Sequence, residues 1–319
     1  MKLRHIKGGT YAIENENACA GFSDSASSGL YVFADGRCLL IDSGANPAQA
    51  QGILALMEAS GWSVYAIFNT HAHADHCGGN RFIQEKSSCR IYASAIEAAF
   101  INHPVLTPYT MFSACPPKLL TGKFFMPQAS RVSHIILPGK LQVNRKRFTI
   151  FDLAGHSPGH LGIMTPDQVL FAGDSLISRE ILDANPFLYL ADSGQQLESL
   201  ARLKDARCDQ LYLAHGGLME DIAGVMKANE TIFQTMVDNI KAMIAVPRSR
   251  EAIIQEIAAW HGLQVNRNHY FRLGNSIAAF LSFLCNRGQA KFYMEGNLLL
   301  YQVQDKGEGR VFCKQLGPN

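Results

Sequence analysis

The chain has 319 residues, about twice the typical one-domain length of roughly 150, so we expect one large domain or two smaller ones. Hydrophobic residues make up 47% of the chain and charged residues 18%, which excludes a mainly disordered protein. The 29 Lys and Arg residues only slightly outnumber the 27 Asp and Glu residues, so the overall charge does not indicate a polyanionic partner.

The N-terminal residues and the cysteines favour a cytoplasmic protein. The cations near Met1 are not followed by the apolar stretch of a secretion signal, and no segment approaches the roughly 18 apolar residues of a membrane span. The eight cysteines are scattered without a Cys-x-x-Cys pair, in a chain too large to need disulfides. We therefore expect reduced thiols, no signal peptide and no membrane segment.

Hydrophobic patterning predicts interleaved strands and helices in the first part of the chain. Strands 29–33 and 38–42 are joined by a hairpin turn, and Asn46 and Pro47 introduce helix 48–59. The elements that follow are strand 64–68, helix 78–86, strand 90–93, helix 94–101, and strands 141–144, 147–153, 161–164 and 169–172. This order predicts an α/β protein with a mixed sheet packed on helices.

Residues 102–139 lack a regular pattern and contain six prolines among large apolar side chains. An irregular stretch of this length is usually functional or mobile. Its aromatic and methionine side chains are expected either to line an apolar pocket over a functional site or to form a hydrophobic segment buried against a second domain. Both interpretations stay open. The larger members of this set are Tyr109, Phe112, Phe124, Phe125 and Met126.

The C-terminal part is predicted to form a separate subdomain. Helices 195–206 and 228–245 precede Pro247, so we place the boundary there and predict domains 1–246 and 247–319. Helices 249–261 and 275–287 and a hairpin of strands 290–294 and 298–303 follow. This order of elements resembles a winged helix.

A dense run of metal-ligating side chains follows strand 64–68. It reads Asn69-Thr-His-Ala-His-Ala-Asp-His-Cys-Gly-Gly79. The period of two in a strand directs His71 and His73 to one side, and the turn into the next helix can bring Asp75 and His76 to a neighbouring point. This single run can therefore supply ligands to two metal ions.

Three more candidate ligands follow apolar runs further along the chain. His156, Asp174 and His215 each precede a Gly or Ser, as expected where strands deliver polar side chains to a common edge. Imidazole and carboxylate ligands without thiolate suit Zn, Fe or Mn rather than a closed structural zinc site. Cys77 and His160 lie near these ligands, and we expect Cys77 to be a packing residue and His160 to support the site or pack.

The order of these ligands resembles that of the metallo-β-lactamase-fold hydrolases, over roughly residues 10–220. The segment Leu39-Leu-Ile-Asp42-Ser-Gly also resembles a strand of that family, whose Asp supports the metal-binding loop. The resemblance implies a four-layer αββα sandwich with the site along one edge of two sheets. It also implies a first metal site (His71, His73, His156), a second (Asp75, His76, His215) and a bridging Asp174.

By the same resemblance, two Zn²⁺ ions, with Fe or Mn as alternatives, would share a water molecule and hold it as the attacking hydroxide. Asp75 and Asp174 are the candidate catalytic residues. Asp174 stands where the β-lactamases of this fold have Cys or Ser, and Ile177 stands where the homoserine-lactone lactonases have Tyr. The residues after Asp174 also depart from the glyoxalase II pattern, so antibiotics, these lactones and glutathione thioesters are not favoured.

The C-terminal segment resembles the winged-helix extension of lactamase-like hydrolases that act as thioesterases or ribonucleases. Helix 275–287 has Arg287 as its single cation, whereas nucleic-acid-binding helices present several cations to phosphates. We therefore predict packing or a homodimer contact for this segment, and no nucleic-acid partner.

The predicted function is cleavage of an ester or thioester bond in a partly apolar acyl substrate, a small molecule. A phosphodiesterase or ribonuclease, and a persulfide dioxygenase with one iron, remain the alternatives.

Overall fold

The computed structural model describes residues 1–15, 26–184, 187–260, 262 and 265–304. The chain divides into two compact units, Met1–Phe233 and Gln234–Asn319. The predicted boundary at 246/247 stays a prediction, and the last predicted helix residue of 249–261 lies outside the described residues. Within the described ranges, no helix has both the length and the apolar character needed to cross a membrane.

The strands are β1 (Lys2–Lys7), β2 (Thr10–Glu14), β3 (Ser28–Val32), β4 (Arg37–Ile41), β5 (Ser63–Phe68), β6 (Arg90–Ala93), β7 (His134–Ile135), β8 (Gly139–Val143), β9 (Lys146–Asp152), β10 (Leu161–Met164), β11 (Val169–Phe171), β12 (Gln210–Leu213), β13 (Gly217–Met219), β14 (Ala290–Glu295) and β15 (Leu298–Val303). The helices are α1 (Pro47–Ala59), α2 (Ala74–Cys77), α3 (Asn80–Ser87), α4 (Ala95–Asn102), α5 (Leu106–Phe112), α6 (Arg179–Ala184), α7 (Ser193–Asp205), α8 (Ile222–Met243), α9 (Arg250–Trp260) and α10 (Arg267–Asn286).

The first unit contains two sheets packed face to face between helices. One sheet has the order β1-β2-β3-β4-β5-β6-β7, and the other has the order β13-β12-β11-β10-β9-β8. One apolar cluster combines residues of both sheets, such as Leu39 and Phe148. A second joins the first sheet to α1 and α3, and a third joins the second sheet to α7 and α8. The predicted α/β fold with four αββα layers is confirmed.

Strand β4 illustrates how sequence produces these layers. Its side chains alternate, so Leu39 and Ile41 enter the cluster between the sheets while Cys38 and Leu40 enter the cluster under α1. All four are at most 2% exposed. A strand buried on both faces must be apolar throughout, which explains the run Cys-Leu-Leu-Ile before Asp42.

Helix α1 begins and ends as its sequence predicts. The Asn46 side chain accepts hydrogen bonds from the backbone N–H groups of Ala48 and Gln49, and Pro47 occupies the first helical position. The helix ends at Ala59, and Gly61 follows with a φ of 73°. The hairpin β3–β4 and the hairpin β14–β15 are likewise confirmed as antiparallel pairs.

Several predicted elements differ from the structure. The segment 102–139 is not wholly irregular, because it contains α5, a 3-10 turn at Lys118–Leu120 and the short strand β7. Pro108 lies in the first turn of α5, where a backbone N–H has no helical partner in any case, so it does not prevent the helix. The predicted helix 78–86 corresponds to α3, which begins at Asn80 and ends at Ser87, and the short helix α2 before it was not predicted. The elements β1, β2, β13 and α6 were not predicted either.

The second unit consists of the end of α8 followed by α9, α10 and the β14–β15 hairpin. Tyr301 of β15 exchanges backbone hydrogen bonds with Arg248, at 2.8 and 3.0 Å. Helix α10 begins at Arg267, eight residues earlier than predicted, and therefore also carries Arg267 and Arg272. The prediction that this helix has one cation was wrong. The resemblance to a winged helix stays a prediction.

The six cysteines within the described ranges are all free thiols. Cys19 and Cys313, the other two of the eight, lie outside those ranges.

Candidate metal centre

The candidate ligands follow strands of both sheets at one edge. The run from His71 to His76 follows β5, His156 lies between β9 and β10, and Asp174 and His215 follow the parallel strands β11 and β12. Two backbone hydrogen bonds join the sheets here, from Leu161 N to Thr70 O at 2.9 Å and from Ser27 N to Ala214 O at 3.0 Å. The sheets therefore bring distant parts of the chain to one place.

Two glycines allow the ligand run to pack closely on the end of β4. A Cβ atom on Gly78 would lie 2.0 Å from the backbone oxygen of Ala45, and one on Gly79 would lie 2.2 Å from that of Ser43. These contacts are with backbone atoms, which cannot move aside as a flexible side chain would. Any larger residue at either position would therefore displace α2, which carries Asp75 and His76.

The first ligand group contains His71, His73 and His156, whose candidate ligand atoms lie within 4.8 Å of one another. His73 Nδ1 is 3.0 Å from His71 Nε2 and 2.9 Å from His156 Nε2. His156 Nδ1 donates to the carbonyl oxygen of Tyr189 at 2.9 Å, so its Nε2 carries a lone pair.

The His71 ring also carries its proton on Nδ1, as the His156 ring does. The Thr70 hydroxyl donates to Asp42 Oδ2 at 2.8 Å and therefore accepts from His71 Nδ1 at 3.0 Å. The Nε2 atom of His71 thus also presents a lone pair to the centre of the group. Nε2 of His71, Nε2 of His156 and Nδ1 of His73 thus lie close together, an arrangement of imidazole nitrogens that fits a bound metal ion.

The second ligand group contains Asp75, His76, Asp174 and His215. His76 Nε2 lies 3.2 Å from Asp174 Oδ1, and His215 Nε2 lies 3.1 Å from Asp75 Oδ2. His76 Nε2 and Asp174 Oδ1 are buried and form an ion pair that lacks hydrogen-bond geometry. Coordination to a cation would satisfy both atoms once His76 loses its proton.

Asp174 lies between the two groups. Its Oδ2 atom is 3.5 Å from His156 Nε2 of the first group, while its Oδ1 atom faces His76 of the second. The structure therefore brings together all seven residues that the sequence analysis selected. Their donor set of imidazole and carboxylate fits a divalent transition metal ion in each group.

Asp42 supports ligands of both groups. Its Oδ2 atom accepts hydrogen bonds from His76 Nδ1 and from the Thr70 hydroxyl, both at 2.8 Å, and its Oδ1 atom accepts from Thr70 N at 2.8 Å. Asp42 has a φ of 58°, a conformation that Asp tolerates better than most residues. With Nδ1 of His76 bonded to this carboxylate, Nε2 is left for a metal ion.

The buried charges shift the pKa values of the ligands. Burial disfavours the charged form of His76, yet the carboxylates of Asp174 and Asp75 outweigh burial and raise the pKa of this imidazole well above its usual value. The pKa of His215 is raised in the same way. For His71, burial and the neighbouring imidazoles of His76 and His73 lower the pKa, so this ring is neutral.

We expect zinc binding to release protons at neutral pH. Because the raised pKa values keep His76 and His215 protonated without metal, an entering ion must displace those protons. Apparent zinc affinity should therefore increase as the pH rises from about 6.5 towards the raised pKa values. Proton release measured with an indicator dye in weakly buffered solution checks this, and the same release from His76→Ala would contradict it.

Cys77 is a buried packing residue beside the ligands. Its side chain is 2% exposed and packs with Ala72, Ala93, Ala98 and Ile101. Its thiol donates to the carbonyl oxygen of Ala72 at 3.3 Å, and burial raises its pKa well above the usual value, so it remains a thiol.

We therefore expect Cys77→Ser to retain both metal ions and most of the activity. The serine hydroxyl can make the same hydrogen bond to Ala72. Metal content and kcat/KM of the variant check this, and a loss as large as that of a ligand variant would show that the thiol has a direct role.

His160 supports Asp174 rather than joining either ligand group. Its Nε2 atom accepts the backbone N–H of Asp174 at 3.1 Å, and its ring stacks on that of His71 with centroids 4.8 Å apart. A Cβ atom on Gly173, which has a φ of 54°, would lie 2.6 Å from this ring. The glycine before Asp174 thus permits both the turn and the contact.

Asn229 and Glu97 are among the buried polar residues that contact the ligand loops and that sequence reasoning missed. Asn229 of α8 accepts a hydrogen bond from Ile177 N and donates to Ile177 O, which holds the loop after Asp174. Glu97 of α4 contacts the loops of the first group. The only sequence signal for Glu97 was its position three residues after Ser94, which is typical of a helix cap.

The aromatic side chains of segment 102–139 differ in exposure. Tyr109 and Phe112 of α5 are 43% and 39% exposed, whereas Phe125 is 6% exposed and packs edge-on against Phe124. Tyr109 and Phe112 are thus exposed to solvent, whereas Phe125 has a structural role. Whether the segment forms part of a substrate site stays a prediction.

Comparison with known proteins identifies a family. The model of the metallo-beta-lactamase superfamily matches residues 23–215. Two curated relatives are the hydroxyacylglutathione hydrolases of Rhodospirillum rubrum, 26% identical over 54% of this chain and 54% of the relative, and of Hyphomonas neptunium, 29% identical over 56% and 57%. The chain spans about half the length of these curated relatives.

Solved structures agree with this fold over nearly the whole chain. A metallo-beta-lactamase family protein from Thermus thermophilus has a TM-score of 0.68, with 20% identity over 93% of this chain and 99% of the other. A beta-lactamase domain protein from Burkholderia ambifaria has a TM-score of 0.70, with 15% identity over 95% and 93%. Because the family model matches more than half of its length, this chain belongs to the metallo-beta-lactamase superfamily.

Proposed function

We propose that this protein is a metal-dependent hydrolase that uses two divalent ions to cleave an ester or thioester bond of a partly apolar acyl substrate. The observation that carries the proposal is the position of Asp174, whose two carboxylate oxygens face a histidine of each ligand group at 3.2 and 3.5 Å. The curated relatives are named hydroxyacylglutathione hydrolases, which supports a thioester as the substrate class.

The proposed ligands are those of the two groups. His71, His73 and His156 would hold one ion, Asp75, His76 and His215 would hold the other, and Asp174 would contact both. Ions bound there supply Lewis acidity and lower the pKa of water. Zinc is the proposed metal, with iron or manganese as alternatives.

The chain's own residues prepare this chemistry by fixing protonation and orientation. The hydrogen bonds of His71 to Thr70, of His76 to Asp42 and of His156 to Tyr189 each leave Nε2 as the ligand atom. These partners hold the imidazole rings before substrate arrives, so little reorganisation is needed during the reaction.

Asp75 is proposed to accept a hydrogen bond from the attacking water and so to orient it. Its side chain is 23% exposed, compared with 14% for Asp174 and 0% for His76, so it is the carboxylate that water reaches most easily. Its pKa is lowered despite burial, because His76 and His215 lie beside it. It is therefore ionised at neutral pH and can accept a hydrogen bond from the water.

The substrate test compares chemical classes on one preparation. Metal content is measured by mass spectrometry on protein purified without added metal. kcat/KM is then measured for hydroxyacylglutathione, matched short-chain and long-chain p-nitrophenyl esters, and bis-p-nitrophenyl phosphate. We expect about two metal ions per chain and activity on the ester or thioester, with the phosphodiester poor.

The exposed aromatic residues of α5 allow a second comparison. Tyr109→Ala and Phe112→Ala are expected to raise KM for long-chain esters more than for short-chain esters, because apolar burial contributes roughly 25 cal/mol per Å². Phe125→Ala is less informative, since a buried Phe truncated to Ala costs about 3–5 kcal/mol of stability.

Other outcomes would identify the alternatives. A preference for the phosphodiester, with salt-dependent RNA binding, would indicate a nuclease; one iron per chain with oxygen uptake on a persulfide would indicate a dioxygenase. A small-molecule substrate, a cytoplasmic location and a homodimer are part of the proposal, and light scattering tests the dimer.

A further inference from the structure

Glu97 is a buried carboxylate that contacts both loops of the first ligand group. Its side chain is 1% exposed, and it lies in the first turn of α4. Its Oε2 atom accepts a hydrogen bond from Ala72 N at 2.8 Å, and its Oε1 atom accepts from the Ser157 hydroxyl at 2.7 Å and from Gly159 N at 2.8 Å. No catalytic step described above uses this residue.

The partners of Glu97 surround the three histidines of the first group. Ala72 lies between His71 and His73 in sequence, and Ser157 follows His156 directly. His73 and His156 are 83 residues apart in the chain, and one carboxylate spans their two loops. In the described part of the chain, the contacts that satisfy Glu97 are neutral donors and include no cationic side chain.

The side chain of Glu97 does not complete the capping box that its position three residues after Ser94 predicts. Ser94 caps α4 by accepting a hydrogen bond from Glu97 N at 3.3 Å, and in a capping box the glutamate side chain would return to the backbone N–H of the serine. Here the side chain turns away to the two loops. Burying a carboxylate in this way is unfavourable on its own, and the burial raises its pKa.

We propose that Glu97 is a positioning residue that binds the two loops of the first ligand group to each other, so that His71, His73 and His156 keep their arrangement before an ion enters. This inference rests on the proposed metal-dependent function.

Glu97→Gln separates this role from general packing. The amide keeps the shape of the side chain but replaces one acceptor oxygen with a donor, so it faces either Ala72 N–H or Gly159 N–H as donor against donor. In the first case the loop of Ala72 loses its hydrogen bond; in the second the Gly159 N–H loses its acceptor, while the Ser157 hydroxyl can rotate and accept from the amide. Ser157→Ala removes a single donor and leaves the carboxylate. Ser94→Ala is the matched control, because it removes the cap of the same helix and none of the three hydrogen bonds that the Glu97 carboxylate accepts.

The full-length apoprotein is titrated with Co²⁺ or Zn²⁺ in competition with a chromophoric chelator, which gives the affinity of each binding equivalent. The visible spectrum of bound Co²⁺ and the unfolding midpoint are recorded for each variant. We expect Glu97→Gln to weaken one of the two binding equivalents about 10–100-fold and to change its spectrum, while the other equivalent keeps the wild-type affinity. Ser157→Ala should weaken the same equivalent less, and the double variant should be less than additive. Ser94→Ala should lower the unfolding midpoint and leave both affinities unchanged.

Two results would overturn this inference alone, given a wild type that binds two ions. One is wild-type affinity for both equivalents in Glu97→Gln. The other is an equal loss at both equivalents together with an unfolding midpoint lowered as in Ser94→Ala, which would indicate a structural role. A wild type that binds no ion would instead refute the proposed function, and this inference with it.

Discussion

Asp174→Ala is expected to lower kcat/KM by more than about 100-fold and to reduce bound metal, because its two carboxylate oxygens face a histidine of each ligand group. Outer partners of metal ligands typically contribute about 10–100-fold, so a ligand shared by two ions should contribute more. His76→Ala should also lose activity and at least part of the second ion. Metal content and steady-state kinetics on the same preparations check both results.

Two further variants make this test specific. Asp174→Asn keeps the volume of the side chain and guards against loss of the fold, since a buried position tolerates an isostere best. Asp209→Ala removes an exposed carboxylate whose ion pair with Lys7 lies on the surface, so it should leave metal content and rate unchanged. Unchanged metal and kcat/KM in Asp174→Ala and His76→Ala would disprove the arrangement with two ions.

Asp42→Asn is expected to lower metal affinity about 10–100-fold although the residue belongs to neither ligand group. The carboxylate accepts three hydrogen bonds, two from Thr70 and one from His76 Nδ1. An amide can accept at one atom only, so it opposes either Thr70 N–H or His76 Nδ1–H with a donor. In the second case the proton of His76 moves to Nε2, which removes the ligand atom.

The choice of Asn limits other effects of this substitution. Asn tolerates a positive φ as well as Asp does, so the φ of 58° at position 42 would not cause a loss of metal affinity. Asp35→Asn is the matched control, because Asp35 is exposed in the β3–β4 turn and pairs with Arg37 and Asn144. Equal metal affinity in Asp42→Asn and Asp35→Asn would show that Asp42 does not orient the ligands.

Local patterns predicted the strands and helices best where a single face or a single cap decides the structure. Strand β10 has the predicted bounds, and α1 begins at the residue that Asn46 and Pro47 indicate. The start of α10 was placed too late, because Asn266 caps a first turn that contains Arg267 and His269 rather than apolar residues. Hydrophobic periodicity detects the buried face of a helix and misses its exposed ends.

The seven candidate ligands were identifiable because histidines and carboxylates in a short run are a poor choice for a core. Of their partners, Asp42 was identified through the family resemblance, and its hydrogen bonds to His76 and Thr70 agree with that expectation. Thr70 and Tyr189 were not identified, because they support ligands through atoms that become neighbours only when both sheets are formed. Such contacts leave no spacing pattern in a single sequence.

Sequence by itself thus determined the alternation of strands and helices, the four-layer fold through its family resemblance, and the identity of the candidate ligands. Only the tertiary structure decided that Asp174 lies between the two groups and that Glu97 joins two loops rather than capping α4. The physical reason is the separation along the chain over which each interaction acts. Backbone propensity and burial periodicity depend on residues that are near neighbours in sequence. A buried charge instead takes its hydrogen-bond partners from any segment that the packed sheets bring within about 3 Å of it.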